Sequence, residues 1–206
     1  MTRRIFLLGP LAATALPQVG NAPRRRILIV LVDGFGPEYL DESDMPNLKR
    51  IIREGSFKIG RGVIPSVTNV NNASLVTASF PEAHGITSNF WYDPKTRKSV
   101  EMESSNFLRK PTIFELAKKR GLRSALVTSK DKVRTLCARG ADIEVSAERP
   151  TAEYVGKIGK QESMYSPSVN FWTLRAARHL LKHSDVGLMY LSTTDYIMHT
   201  YAPRSS

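Results

Sequence analysis

Asp195 and His199 stand four residues apart, which sets a carboxylate and an imidazole on one face if the segment is helical. That pair of donors suits zinc, and manganese or iron less specifically; a surface ion pair is the plainer use of the same spacing. Asp33 is followed by Gly34 at the end of an apolar run. Doubly wound folds often present a metal ligand there, and an aspartate in that place also serves as a turn former or helix cap. Thr68 lies in Pro65-Ser66-Val67-Thr68-Asn69-Val70-Asn71-Asn72, dense in polar side chains where a helix is expected to begin. A hydroxyl at a helix start faces unpaired backbone amides and the positive end of the dipole. Beside a metal it would be held as an alkoxide, with the amides favouring an anionic phosphoryl group; otherwise it is a simple N-cap. Asn72-Ala73-Ser74 also reads as a glycosylation sequon, a chance match if the helix runs through it.

The strands and helices carrying these groups follow from the hydrophobic pattern. Residues 27–32 form a continuous apolar run rich in branched side chains, read as a buried strand. Residues 45–54 have helical spacing, with Asp44 as cap and Gly55 as stop. A helix is expected to start near Asn69 or Asn71 and run to residue 77. A hairpin is expected where residues 91–92 and 99–102 flank a Pro-Lys-Thr-Arg turn. Thr112 caps a helix over 113–120 closed by Gly121, followed by a strand over 123–128 and a helix over 131–138. A long amphipathic helix over 168–183 leads to an apolar strand over 186–192. Alternating strands and helices predict an α/β fold: a doubly wound, mainly parallel sheet with helices on both faces. Ligand sites in such sheets lie beyond the carboxyl ends of the strands. Asp33, Ser129-Lys130 and Thr193-Thr194-Asp195 all follow strands and would converge there.

The 206 residues are 41% hydrophobic and 24% charged, a balance that excludes a disordered, collagen-like or coiled-coil chain. Of the net charge of +11, five positive charges come from arginines in the first 26 residues, which hold no acid. The remainder is spread out, with no basic stripe interleaved with aromatics, so a small anionic substrate is expected and nucleic acid is not. The single cysteine, Cys137, allows no internal disulfide and is expected to be a buried apolar residue. Residues 1–22 open with Arg3-Arg4-Ile5-Phe6-Leu7-Leu8 and resemble a twin-arginine export signal, implying a periplasmic or secreted protein. A disordered arm or a misassigned start codon is the alternative, and the protein would then be cytoplasmic. The apolar stretch is too short for stable membrane insertion. Nothing in the sequence decides the oligomeric state, a homodimer included.

The order Asp33-Gly34-Phe35, Pro65-x-x-Thr68-Asn69, Phe80-Pro81-Glu82-Ala83-His84-Gly85-Ile86 and Asp195-Tyr196-x-x-His199 resembles the phosphodiesterase and nucleotide pyrophosphatase branch of the alkaline phosphatase superfamily. The resemblance runs from about residue 27 to residue 203. It implies an alkaline-phosphatase-like core with two zinc ions, Asp33 and the nucleophile Thr68 on one, Asp195 and His199 on the other. Asn89 matches the asparagine that binds a phosphoryl oxygen. Two segments, Thr68-Asn69-Val70-Asn71-Asn72-Ala73-Ser74 and Ser129-Lys130-Asp131-Lys132-Val133-Arg134, are similar to the phosphonoacetate hydrolases within that branch, in which both lysines contact the substrate. The resemblance implies cleavage of phosphonoacetate to acetate and phosphate, with the Asn69 backbone and Asn89 on the phosphoryl oxygens and Lys130 and Lys132 on the carboxylate. A phosphodiesterase or nucleotide pyrophosphatase acting on phosphate esters, or a truncated inactive domain, are the alternatives. The family pattern also contains a later Asp-His pair and a late histidine. His84, His179 and His183 precede Asp195, so residues 23–206 are expected to be a partial catalytic domain, incomplete at its C-terminus, with incomplete metal sites.

Overall fold

The structure, a computed structural model, describes residues 25–161, 163 and 166–202. The expected export signal of residues 1–22 lies outside the described residues. The elements in chain order are β1 (Ile27–Leu31), α1 (Pro37–Glu42), α2 (Pro46–Glu54), α3 (Thr68–Thr77), α4 (Pro81–His84), β2 (Phe90–Asp93) and β3 (Lys98–Glu101). There follow α5 (Ile113–Lys119), β4 (Ser124–Thr128), α6 (Asp131–Cys137), β5 (Ile143–Ser146), α7 (Ala152–Ile158), α8 (Ser168–His183), β6 (Leu188–Ser192) and α9 (Tyr196–Thr200).

Among the described residues four strands form a parallel sheet in the order β1-β6-β4-β5, and β2 and β3 pair as a separate antiparallel hairpin. Successive strand side chains point to opposite faces. Leu126, Leu188 and Tyr190 therefore join one core with Val70, Phe114 and Leu136 of α3, α5 and α6. Ala125, Val127, Met189 and Leu191 join a second core with Tyr154 of α7 and Val169, Trp172 and Ala176 of α8. Covering on both faces is why β4 and β6 are buried at every position. The sheet is doubly wound, as the alternation of elements predicts.

Three expectations need correction. The run 27–32 is not a buried strand: among the described residues β1 is the sheet edge, paired only with β6. Ile29 and Leu31 lean on the first core, while Leu28 and Val30 on the other face are 46% and 48% exposed. A continuous apolar run cannot distinguish an edge strand from a central one. Asp44 does not cap α2; Met45 holds that position without a side-chain hydrogen bond, and Pro46 opens the helix, where a missing N–H costs nothing. Helix α3 begins at Thr68 itself rather than at Asn69 or Asn71. Thr112, by contrast, forms a full capping box with Glu115.

Candidate active site

Because β1, β4 and β6 run parallel, their carboxyl ends share one edge of the sheet. Asp33, Lys130 and Asp195 lie just beyond those ends. Gly34 makes the turn after β1 with φ +72, and a Cβ there would come within 3.0–3.2 Å of Met198 and Asp195. A glycine therefore lets the β1 loop close against the segment carrying Asp195 and His199.

Thr68 reaches the same place from α3. Tyr190 of β6 donates its hydroxyl to Asn72 Oδ1 at 2.9 Å, and both residues are fully buried. Asn72 Nδ2 in turn donates to the Thr68 carbonyl at 2.9 Å, fixing the first turn of α3 above the sheet. With both ends of its amide engaged inside the core, Asn72 is no glycosylation acceptor. Thr68 occupies the first turn of α3 and Val67 the cap, so the threonine hydroxyl is not spent on capping. It donates to Asp33 Oδ2 at 3.1 Å.

Lys130 closes the arrangement. Its ammonium donates to Asp33 Oδ2 at 3.2 Å and to Asp195 Oδ1 at 2.7 Å. His199 Nε2 lies 2.9 Å from Asp195 Oδ2, as the spacing of four predicts, with the imidazole itself exposed. A continuous polar chain thus runs Thr68–Asp33–Lys130–Asp195–His199. Burial alone would raise the Asp195 carboxyl, but the hydrogen bond and charge of Lys130 outweigh it and hold the group at about 2.

The two lysines part company here. The resemblance implies that both face the substrate, yet Lys130 lies between the two carboxylates with its side chain only 19% exposed. Two half-buried carboxylates at one strand edge need a cation between them, and the cap position of α6 puts Lys130 within reach. Lys132 makes no side-chain hydrogen bond among the described residues. It lines a cavity of about 570 Å³ together with Lys130, Glu103, Arg149, Asp195 and His199. Burial and the neighbouring Glu101 raise the Glu103 carboxyl there, with Lys132 opposing them.

Asn89 joins the first turn of α3 to the β2–β3 hairpin. Its Oδ1 accepts the Asn69 backbone N–H at 3.2 Å, while its carbonyl accepts from Met102 N at 2.8 Å. Asn69 Nδ2 donates to the Met102 carbonyl at 2.9 Å, and Asn69 Oδ1 is buried with no partner among the described residues. All the sequence-predicted residues except Lys132 are linked to a second member of the set: Asn69 to Asn89, and Asp33, Thr68, Lys130, Asp195 and His199 in one chain.

As a metal centre the arrangement is partial. Asp33 with Thr68, and Asp195 with His199, each offer one carboxylate and one further donor, a chemistry that suits a divalent cation. Among the described residues no three His, Cys, Asp or Glu side chains group to hold an ion. Cys137 is buried, and burial pushes its thiol far up, so it supplies no thiolate. Sequence reasoning missed Asn170, on α8, whose amide joins the Lys130 and Asp195 loops. A single asparagine within an amphipathic helix carries no pattern that would single it out.

Residues 27–206 match the model of the type I phosphodiesterase / nucleotide pyrophosphatase family, and the chain belongs to that family. The phosphonoacetate hydrolase of Sinorhizobium meliloti 1021, solved in complex with phosphonoacetate, is 37% identical with a TM-score of 0.82, over 89% of this chain and 49% of that one. Human ectonucleotide pyrophosphatase/phosphodiesterase family member 1 is 30% identical over 189 residues, 87% of this chain and 19% of that protein. A venom phosphodiesterase of Naja atra is 27% identical over 188 residues, 87% of this chain and 21% of that protein. The chain therefore spans about half the length of the solved hydrolase and about a fifth of these curated relatives. No described helix is long and apolar enough to cross a membrane.

Proposed function

We propose that this segment carries the nucleophile and substrate-binding half of a hydrolase acting on the carbon–phosphorus bond of phosphonoacetate. The observation that carries the reading is Lys132, a cation without a side-chain hydrogen bond among the described residues, facing the same cavity as Asp195 and His199. A phosphate monoester needs only the phosphoryl-binding groups. A phosphonate with a separate carboxylate needs a further cation at a distance, and lysine serves there as a point charge.

In this reading Asp33 and Thr68 would hold one zinc ion and Asp195 and His199 the other. The metals supply Lewis acidity and a hydroxyl of lowered pKa. Thr68 Oγ1 passes its proton to Asp33 Oδ2, to which it already donates, and attacks phosphorus, forming the P–O bond as the P–C bond breaks. The electron pair leaves on carbon as an enolate-like acetate anion that takes a proton from water. Asn89 Nδ2 is left for an equatorial oxygen, since Asn89 turns its Oδ1 onto the Asn69 N–H, and that N–H joins it on exchanging this bond for a phosphoryl oxygen. Lys132 holds the carboxylate throughout. Lys130, between Asp33 and Asp195, would be the second cation for the carboxylate. Hydrolysis of the threonine ester then releases phosphate. Export directed by residues 1–22 belongs to the same proposal, resting on Arg3-Arg4 and the apolar stretch behind them.

A phosphodiesterase activity is the second reading, favoured by the 30% identity to the human ectoenzyme. The test is a hydrolysis panel on a protein carrying this segment at the family's full length. Phosphonoacetate should be turned over in preference to nucleotide and aryl phosphate esters, Thr68→Ala should abolish turnover of all, and Lys132→Ala should harm phosphonoacetate selectively. Equal losses on phosphonoacetate and aryl esters in Lys132→Ala would reject the carboxylate role, and a preference for nucleotide esters would select the second reading.

A further inference from the structure

The two loops that present Lys130 and Asp195 come from different strands, and one side chain on a third element holds both. Asn170, in the first turn of α8, accepts from Ser129 Oγ at 2.8 Å and from the Thr194 backbone N–H at 2.9 Å through its Oδ1. Its Nδ2 donates to the Thr194 carbonyl at 2.9 Å. The amide therefore pairs with both backbone groups of Thr194, which fixes the identity of its oxygen and nitrogen. Ser129 and Thr194 immediately precede Lys130 and Asp195. Ser129 is further held by Thr173 Oγ1 at 2.8 Å, one turn along α8, and its N–H by the Ser192 carbonyl. Ser129 and Thr173 are fully buried and Thr194 nearly so, so water competes little for these bonds.

We infer that Asn170 is a positioning residue that sets the Lys130–Asp195 contact by clamping Ser129 to Thr194. The inference rests on the proposed site for its purpose, though not for its geometry. Lys130 must stay near Asp195 yet be able to yield to a cation or a substrate carboxylate. Holding the backbones on either side while leaving the ammonium's own bonds exchangeable meets both demands. One net hydrogen bond shifts a local opening equilibrium by about fivefold. Deleting the amide removes three, so the loops should separate far more often while the two cores stay packed.

The test is residue-resolved amine labelling of Lys130, read by mass spectrometry on the metal-free protein, in wild type, Asn170→Ala and Asn170→Asp. Lys157 and Lys182, at the far end of α7 and α8, serve as internal references. Asn170→Ala should raise Lys130 labelling by about fivefold or more, and Asn170→Asp, which keeps the acceptor, by less. The references should not move, and thermal unfolding should stay cooperative. Thr173→Val, which removes a Ser129 contact without touching Thr194, should change Lys130 labelling less than Asn170→Ala. Unchanged Lys130 labelling in folded Asn170→Ala, or an equal rise at all lysines, overturns the clamp. Hydrogen exchange of the Thr194 amide in wild type needs no variant: slow exchange is expected, and exchange at the rate of an open loop also overturns it. Zinc titration of a protein carrying this segment at the family's full length keeps the two readings apart. No zinc binding at any concentration counts against the proposed centre, while the labelling still judges the clamp.

Discussion

Replacing Lys130 by methionine tests the electrostatic centre of the site. The substitution keeps the length of the stem and removes the charge that stands 2.7 Å from Asp195 and 3.2 Å from Asp33. In wild type the Asp195 carboxyl falls from the ordinary 3.8 to about 2, against a burial effect that acts the other way. At about 1.36 kcal/mol per tenfold, that fall corresponds to about 2.4 kcal/mol of stability at neutral pH. Residual water around a side chain 19% exposed screens part of it, so roughly 1.5–2 kcal/mol is expected. Mutual repulsion of the two carboxylates acts in the same direction. The depressed carboxyl gives stability that is complete above 3.8 and lost as pH falls through about 2. The gap between wild type and Lys130→Met should therefore be full at pH 7 and about halved near pH 3. With chelator present, the urea midpoint at pH 7 should drop by about 1 M. Zinc should also bind the variant more tightly, because no ammonium has to leave the carboxylates. Equal midpoints at pH 7, or a gap undiminished at pH 3, would show that Lys130 does not hold the Asp195 carboxyl down.

Two further outcomes are expected. His84 is buried, with Nδ1 accepting the Ile86 N–H at 3.1 Å and Nε2 2.9 Å from Ser74 Oγ, so it fits only the neutral imidazole, and burial lowers its pKa. Stability should hold above about pH 6.5 and decline below it as the unfolded chain takes up the proton, and His84→Asn should flatten that decline in pH-dependent thermal melts. Tyr190→Phe strands Asn72 Oδ1 in the core and should cost about 1–3 kcal/mol in urea unfolding. If that variant matches wild type, Asn72 does not fix α3 to the sheet.

The parts of this fold legible in the sequence are those whose signal is local. Thr112 with Glu115 announces a helix start through two reciprocal bonds within four residues, and the structure contains both. Helix α8 shows its buried stripe of Val169, Trp172, Ala176 and Leu180 at helical spacing. The short helices α1, α4 and α7 and strand β5 escaped, being four to seven residues long and held by tertiary packing rather than by a periodic pattern. The exposure of β1 escaped because hydrophobicity along a strand says nothing of how many strands flank it. The direction of Lys130 escaped for a related reason. A lysine at a helix start reads as a solvated side chain or a ligand for substrate, and only the approach of two carboxylates from other strands makes it a counter-ion.

The convergence of the site residues was legible because register, not sequence distance, decides it. In the parallel pairings Leu31 and Thr128 both stand opposite Ser192, so all three strands reach the edge at the same height. Asp33 lies two residues beyond Leu31, Lys130 two beyond Thr128, and Asp195 three beyond Ser192. Residues separated by 65 to 162 positions thus leave the sheet together, and each side chain needs only the first residues of its loop to reach the others. A strand-end polar residue followed by a sharp turn is a weak signal taken singly, since each has an ordinary capping use. Three of them, on strands that one alternating pattern makes parallel, cannot avoid meeting. What remained for the structure to decide was the hand that holds them there, Asn170 from the helix beside β6 and Asn72 from the helix over it, because a single asparagine on a helix has no periodicity to betray it.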